Sequence, residues 1–173
     1  FGVLDAHDSA VQSLAFGTAG SKPILASGSA DKTLKIWNLE TLDRVRTYRG
    51  HRDYITAVAL AAGGKDIASA SLDGKVRIWS TRSNRLTRSL SGHDGRASAL
   101  AFALSGDVLA SGGGDGKIRV WDFKKSRTPR TLPSHAGDIA ALAFSPDGQH
   151  IASAGDDGFV RIWDNPLQKP VTN

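Results

Sequence analysis

The stretch Ser69-Ala70-Ser71-Leu72-Asp73-Gly74-Lys75-Val76-Arg77-Ile78-Trp79 decides how the chain is read, because it returns in altered form three times. Ser27 to Trp37 reads SGSADKTLKIW, Ser111 to Trp121 reads SGGGDGKIRVW, and Ser153 to Trp163 reads SAGDDGFVRIW. The tryptophans Trp37, Trp79, Trp121 and Trp163 fall 42 residues apart each time, as do Asp31, Asp73, Asp115 and Asp157. A period of about 40 residues is the signature of one supersecondary unit repeated in an array, so no position is interpreted alone.

Working outward, each unit carries the same strand signals. A short apolar or alternating run follows a histidine: 11–16, 55–60, 97–102 and 139–144. A turn rich in Gly, Pro, Ser or Asp comes next, at 17–23, 61–65, 105–107 and 145–149. A second run (24–27, 66–69, 108–111, 149–153) enters a tight turn at Asp31-Lys32, Asp73-Gly74, Asp115-Gly116 or Asp157-Gly158. Asp-Gly between β-rich runs predicts a hairpin, because glycine tolerates positive φ and aspartate bonds the turn backbone. The third run ends on the tryptophan. A more polar fourth run follows at 44–49, 85–90 and 130–132, with Pro129 and Pro133 suited to a sheet edge. No segment sustains a helical apolar period. Four short strands cannot bury two apolar faces unaided, whereas stacking such sheets around an axis can.

At this point the chain resembles the WD40 repeat family. Trp121-Asp122 and Trp163-Asp164 keep the Trp-Asp dipeptide, which is Trp37-Asn38 and Trp79-Ser80 elsewhere. Gly50-His51 and Gly92-His93 keep a Gly-His pair that Ala6-His7 and Ser134-His135 lose. The resemblance implies an all-β fold: a β-propeller segment of four four-stranded antiparallel blades, part of a ring of seven or eight. The units fall at about 7–50, 51–92, 93–134 and 135–173, with residues 1–5 matching the outer strand of a preceding or closing blade. Pro166 and Pro170 interrupt the outer strand of the last unit. The ring would be completed by the rest of a longer chain or by a second copy. The absence of methionine, even at position 1, favours the longer chain.

Each unit offers one His, Ser, Asp and Trp: His7, Ser27, Asp31 and Trp37; His51, Ser69, Asp73 and Trp79; His93, Ser111, Asp115 and Trp121; His135, Ser153, Asp157 and Trp163. Ser, His and Asp together suggest a nucleophilic triad. The resemblance implies instead a structural chain from indole through hydroxyl and imidazole to carboxylate. Buried polar groups of these kinds need partners, and a catalytic apparatus has no reason to recur in every unit. No catalytic residue is therefore assigned. The cations two before each tryptophan (Lys35, Arg77, Arg119, Arg161) share the register and are expected to serve the blade.

Composition bounds the remainder. The 173 residues carry a net charge of +5, ordinary apolar content, and no apolar run of membrane-spanning length. Cysteine is absent, which removes thiol chemistry and fits a reducing, cytoplasmic setting. No His/Asp/Glu set has metal-ligand spacing, and no Gly-rich loop leads into a helix, so no metal or cofactor is expected. Gly112-Gly113-Gly114 is explained by the hairpin it precedes, and His150 is expected to be a solvated turn residue without a nameable partner.

For function, the resemblance implies a protein-interaction platform that scaffolds a multiprotein complex. Carried over by position, the contact loops comprise Asp8 and Ala10 with Ala30, Arg52 and Tyr54 with Leu72, Asp94 and Arg96 with Gly114, and Ala136 and Asp138 with Asp156. Arg52, Tyr54 and Leu72 are of types suited to binding hot spots. The fourth runs and their approaches carry Arg44, Arg46, Arg49, Arg82, Arg85, Arg88, Lys124, Lys125, Arg127 and Arg130. Such cations discourage edge pairing, and could also meet an acidic partner, nucleic acid or a lipid surface. A sensor module attached to a separate catalytic domain is the remaining reading.

Overall fold

A computed structural model of the chain describes residues 2–125, 128–132 and 135–167. Phe1, Arg127, Pro133, Ser134 and Pro170, all used above, lie outside the described residues. The strands are β1 (Val11–Ala19), β2 (Lys22–Ser29), β3 (Leu34–Asn38), β4 (Arg44–Tyr48), β5 (Ile55–Leu60), β6 (Asp66–Ser71), β7 (Lys75–Ser80) and β8 (Leu86–Ser91). They continue with β9 (Ala97–Phe102), β10 (Val108–Gly113), β11 (Ile118–Asp122), β12 (Arg130–Leu132), β13 (Ile139–Phe144), β14 (His150–Gly155) and β15 (Val160–Asp164). A single 3₁₀ turn, Ala62–Gly64, is the one helical element among the described residues.

Consecutive strands pair antiparallel into four separate meanders: β1–β4, β5–β8, β9–β12 and β13–β15. Three sheets have four strands, and the fourth has three among the described residues, where four had been expected. Residues 2–10 join no sheet, so the described part of the segment expected as an outer strand, residues 2–5, makes no ladder. The first strand of each sheet touches the first strand of the next: β1 meets β5, β5 meets β9, and β9 meets β13.

The apolar residues explain the stacking. Second and third strands contribute Ile24, Leu34 and Ile36, which pack with Ile55, Val58, Ile67 and Trp79 of the following sheet. Val76 and Ile78 meet Ala97 and Leu109 in the same way, and Ile118 and Val120 meet Ile139 and Ile151. The core is therefore a series of junctions between sheets, each sheet buried on faces a lone meander would leave wet.

Between β1 and β2 the structure departs from the expected turn at 17–23. Gly17 and Pro23 lie inside the ladder, opposite Ile24 and Thr18, and the bend is at Gly20, whose φ is +67°. Pro23 sits near the start of β2, where its fixed φ suits extended backbone, and its carbonyl still accepts from Leu39 N–H at 3.1 Å. His7 and His51 are consequently 44 residues apart, unlike the later histidine pairs.

Candidate functional site

Each second-strand serine stands across the sheet from the cation of the third strand, as in Ser69 opposite Arg77. The tryptophan two residues on then returns its indole to that serine. Trp37 Nε1 donates to Ser27 Oγ at 2.8 Å, Trp79 to Ser69 at 2.8 Å, Trp121 to Ser111 at 2.9 Å, and Trp163 to Ser153 at 2.8 Å. The same hydroxyls lie 2.8, 2.8, 2.9 and 2.8 Å from Nε2 of His7, His51, His93 and His135. Nδ1 of these histidines faces Asp31 at 2.8 Å, Asp73 at 3.1 Å, Asp115 at 2.9 Å and Asp157 at 2.8 Å.

The hydrogen-bond roles follow. Nη1 of Arg77, Arg119 and Arg161 lies 2.5, 2.8 and 2.6 Å from Nδ1 of His51, His93 and His135 and donates to the same aspartates. The indole already fills each serine as an acceptor, so the hydroxyl donates to Nε2 and the ring proton sits on Nδ1, toward the carboxylate, which only accepts. The serine hydroxyl thus has a partner for its proton and one for its oxygen, and the indole N–H has its acceptor. The serines are 0–1% exposed, so each hydroxyl faces only its own sheet.

The aspartate also builds the turn. Thr33, Lys75, Lys117 and Phe159 donate their backbone N–H to the aspartate two residues earlier, and the residue after each histidine (Asp8, Arg52, Asp94, Ala136) donates from the other side. Between them, the residue after the aspartate adopts positive φ: Lys32 at +69°, Gly74 at +75°, Gly116 at +69° and Gly158 at +79°. At Gly116 a Cβ would come within 2.3 Å of His135 O in the next unit, so glycine serves there for space as well as for φ.

These bonds set the charges. Burial pushes Asp115 upward, but hydrogen bonds from His93 and Arg119 outweigh it and hold the carboxyl down at about 2. Burial likewise opposes Asp31 and Asp73, and bonds from Thr33 and His7, or from Arg52 N–H and Arg77, hold them well below the usual carboxylate range. At Asp157 the bond from His135 leads the lowering. Burial pushes the His51 and His93 imidazoles down, against the pull of Asp73 and Asp115.

The expected structural cations find their acceptors here. Arg77, Arg119 and Arg161 reach Asp73, Asp115 and Asp157 at 2.8, 2.7 and 2.8 Å. Lys35 does otherwise: its Nζ donates to Ala6 O at 2.7 Å, and Thr33 Oγ1 supports Asp31 at 2.6 Å. The residue after each tryptophan has a task too. Asn38 accepts Glu40 N–H, Ser80 accepts Arg82 N–H, and Asp122 accepts Lys124 and Lys125 N–H. Asp164 precedes Pro166, which has no N–H to offer at that place, and lies instead 3.4 Å from His150 across the sheet. His150 thus has a neighbour that had not been foreseen.

The loop positions carried over from the resemblance come together in pairs. Ala30, Leu72, Gly114 and Asp156 donate backbone N–H to Ala10, Tyr54, Arg96 and Asp138 at 2.9–3.0 Å. Arg52 and Tyr54 are exposed with Leu72 half-buried beside them, and Asp156 is exposed. Arg96 and Asp138, expected among the partner-contact positions, form an ion pair between adjacent sheets in which the Arg96 side chain stays half exposed, and Asp138 also accepts from Ser98 Oγ at 3.0 Å. Opposite charges at one register in consecutive units were the available signal.

The basic outer strands are partly spent inside the molecule. Arg46 Nε donates to Thr81 O at 3.1 Å, and Arg88 donates to Phe123 O at 3.2 Å while covering the Phe123 ring. Lys124 pairs with Asp107 at 2.6 Å. Among the described residues no group of acidic residues and histidines is arranged to hold a metal, and no helix is long and apolar enough to cross a membrane.

Comparison with known proteins agrees with this geometry. The model of the WD domain, G-beta repeat matches residues 1–38, 42–80, 84–122 and 126–164. Each match after the first runs from the outer strand of one sheet through the third strand of the next. Coatomer subunit beta'-2 of Arabidopsis thaliana is 42% identical over 55 residues, 32% of this chain and 6% of that protein. Coatomer subunit beta'-1 of the same plant is 41% identical over 56 residues, with the same shares. Small ribosomal subunit protein RACK1y of Oryza sativa subsp. japonica is 33% identical over 72 residues, 38% of this chain and 21% of that protein. The aligned stretches span 6–21% of these relatives' own lengths. Four matched repeats covering nearly the whole chain, each with its indole-to-carboxylate network, make this chain a member of the WD domain, G-beta repeat family.

Proposed function

We propose that the chain is a non-catalytic platform for protein–protein interaction, contributing to the assembly of a multiprotein complex. The observation that carries this reading is the division of labour in the second sheet. His51, Ser69 and Trp79 are buried and bonded to one another, while Arg52 and the 47%-exposed Tyr54 stand outside with Leu72. A buried hydroxyl held by an indole and an imidazole is poorly placed to attack a substrate. An aromatic and a guanidinium on a rigid sheet end are well placed to anchor a partner. The relatives are named as subunits of a coatomer and of the small ribosomal subunit, and a role in assembly extends that likeness to this chain.

Tyr54→Ala tests it. The variant should melt with the unaltered chain, because the ring is exposed, and should lose at least tenfold in affinity for a partner captured by the unaltered protein. Equal capture by both forms removes this surface from the proposal.

A further inference from the structure

The turn between first and second strands is closed in the same way in three sheets. Ala61, Ala103 and Ser145 donate N–H to the carbonyls of Asp66, Val108 and His150 at 3.0, 2.9 and 3.0 Å. Gly64, Gly106 and Gly148 donate back to the carbonyls of Ala61, Ala103 and Ser145 at 2.9 Å. One contact of the set differs. Gln149 N–H is accepted by Asp147 Oδ1 at 2.9 Å, and Asp107 N–H by Ser105 Oγ at 3.4 Å. In the second sheet the acceptor position is Gly63, so no side chain takes the Lys65 N–H. The chain there winds into the 3₁₀ turn Ala62–Gly64, and a Cβ built on Gly63 would meet nothing within 4 Å.

Two clefts at equivalent places in the stack show what the difference leaves. Between the third and fourth sheets a cleft of about 350 Å³ is lined by Leu104, Ser105, Asp147 and Asn165 among others, and so contains its own carboxylate. Between the first and second sheets a cleft of about 290 Å³ is lined by Ala19, Gly20, Gly63, Gly64, Thr81 and two cations, Lys65 and Arg82. Gly63 stands there at the register of Asp147, and Thr81 at that of Asn165.

The charge of the first cleft is uncompensated. Lys65 and Arg82 are exposed, and neither side chain forms an ion pair or a hydrogen bond among the described residues. Arg46 reaches the same turn, its Nε and Nη2 donating to the carbonyls of Thr81 and Arg82 at 3.1 and 3.5 Å. No acidic residue lines this cleft. Asp66, beside Lys65, is half-buried and answers to Arg88 as well as to Lys65.

We propose that this cleft takes the carboxylate of an acidic side chain from a protein partner, held between Lys65 and Arg82 at the register that Asp147 fills with its own carboxylate. The planar fork of Arg82 suits a carboxylate, and a cleft so small and open fits one side chain better than a whole ligand. Tyr54 precedes β5 and Gly63 follows it, so the two surfaces lie at opposite ends of the second sheet and the proposal does not depend on Tyr54.

Amide NMR at fixed ionic strength tests it, with a capped tetraglutamate peptide as the probe. The Gly63 and Lys65 resonances should move saturably with that peptide and stay in place with its tetraglutamine counterpart. Lys65→Gln combined with Arg82→Gln should weaken binding about tenfold, a loss expected of charge-assisted bonds. Arg49→Gln combined with Lys117→Gln removes the same charge from exposed positions elsewhere and should change affinity less than about twofold. Unmoved resonances, equal losses in the two variant pairs, or equal shifts with the glutamine peptide or with inorganic phosphate at the same concentration would each overturn it.

Discussion

Arg77 Nη1 lies 2.8 Å from Asp73 Oδ2, across the tight turn that separates them by four residues. This contact makes the carboxylate the hub of its sheet, since Asp73 also receives His51 Nδ1 and the backbone N–H groups of Arg52 and Lys75. Removing the hub strands a guanidinium and an imidazole that are both largely buried. Asp73→Ala is expected to lower unfolding free energy by about 3–5 kcal/mol, the range for breaking a buried ion pair from one side. Urea unfolding measures it, and a loss under about 1 kcal/mol would show that the hub is dispensable.

The first sheet should respond more mildly to loss of its substitute. Thr33 Oγ1 supports Asp31 where the other sheets use arginine, through one hydrogen bond of 2.6 Å. Thr33→Val keeps the shape and removes that bond, so a decrease of about 1 kcal/mol is expected in the same assay.

The outer-strand arginines divide into two kinds. Arg88 bridges to the next sheet through Phe123 O and the Phe123 ring, 5.2 Å from the guanidinium carbon. Arg85 is exposed and makes no side-chain hydrogen bond among the described residues. Arg88→Ala should lower stability by about 1–2 kcal/mol, and Arg85→Ala should stay within about 0.5 kcal/mol. Equal effects on the melting temperature would mean that Arg88 serves only as surface charge.

Stability should fall with acid in two stages. His51 and His93 are pushed below 6.5 by burial, so the unfolded chain takes up protons first as the pH drops through that value. Their contribution is complete above 6.5 and is lost toward the lower folded values. The four network carboxyls are depressed from 3.8, with Asp115 at about 2, so their contribution is complete above 3.8 and lost as pH falls through the folded values. Melting temperatures should be level between pH 8 and 7, lower at 5.5 and lower again at 3. A melting temperature that rises from pH 7.5 to 5 contradicts this assignment.

Much of this architecture is legible in the chain because one solution recurs. The runs 55–60, 97–102 and 139–144 coincide with β5, β9 and β13, since the histidine and the serine bracket a strand of fixed length. The Asp-Gly turns fall where positive φ is needed. Single-copy features were harder to see. Pro23 reads as a breaker, yet lies in a strand whose bend is supplied by Gly20. The pairing of Arg96 with Asp138 is visible only once stacking brings neighbouring sheets together. The cations before the tryptophans announced a shared role by register, but their acceptor became visible only when the turn folded back on Asp73.

Each sheet is locked from indole to carboxylate, and histidine nitrogen NMR reads the state of that lock at its imidazole. At pH 7.5 His7, His51, His93 and His135 should carry the proton on Nδ1 and leave Nε2 bare, with the Nδ1 protons slow to exchange. Protons on Nε2, or exchange as rapid as in an unfolded chain, would contradict it.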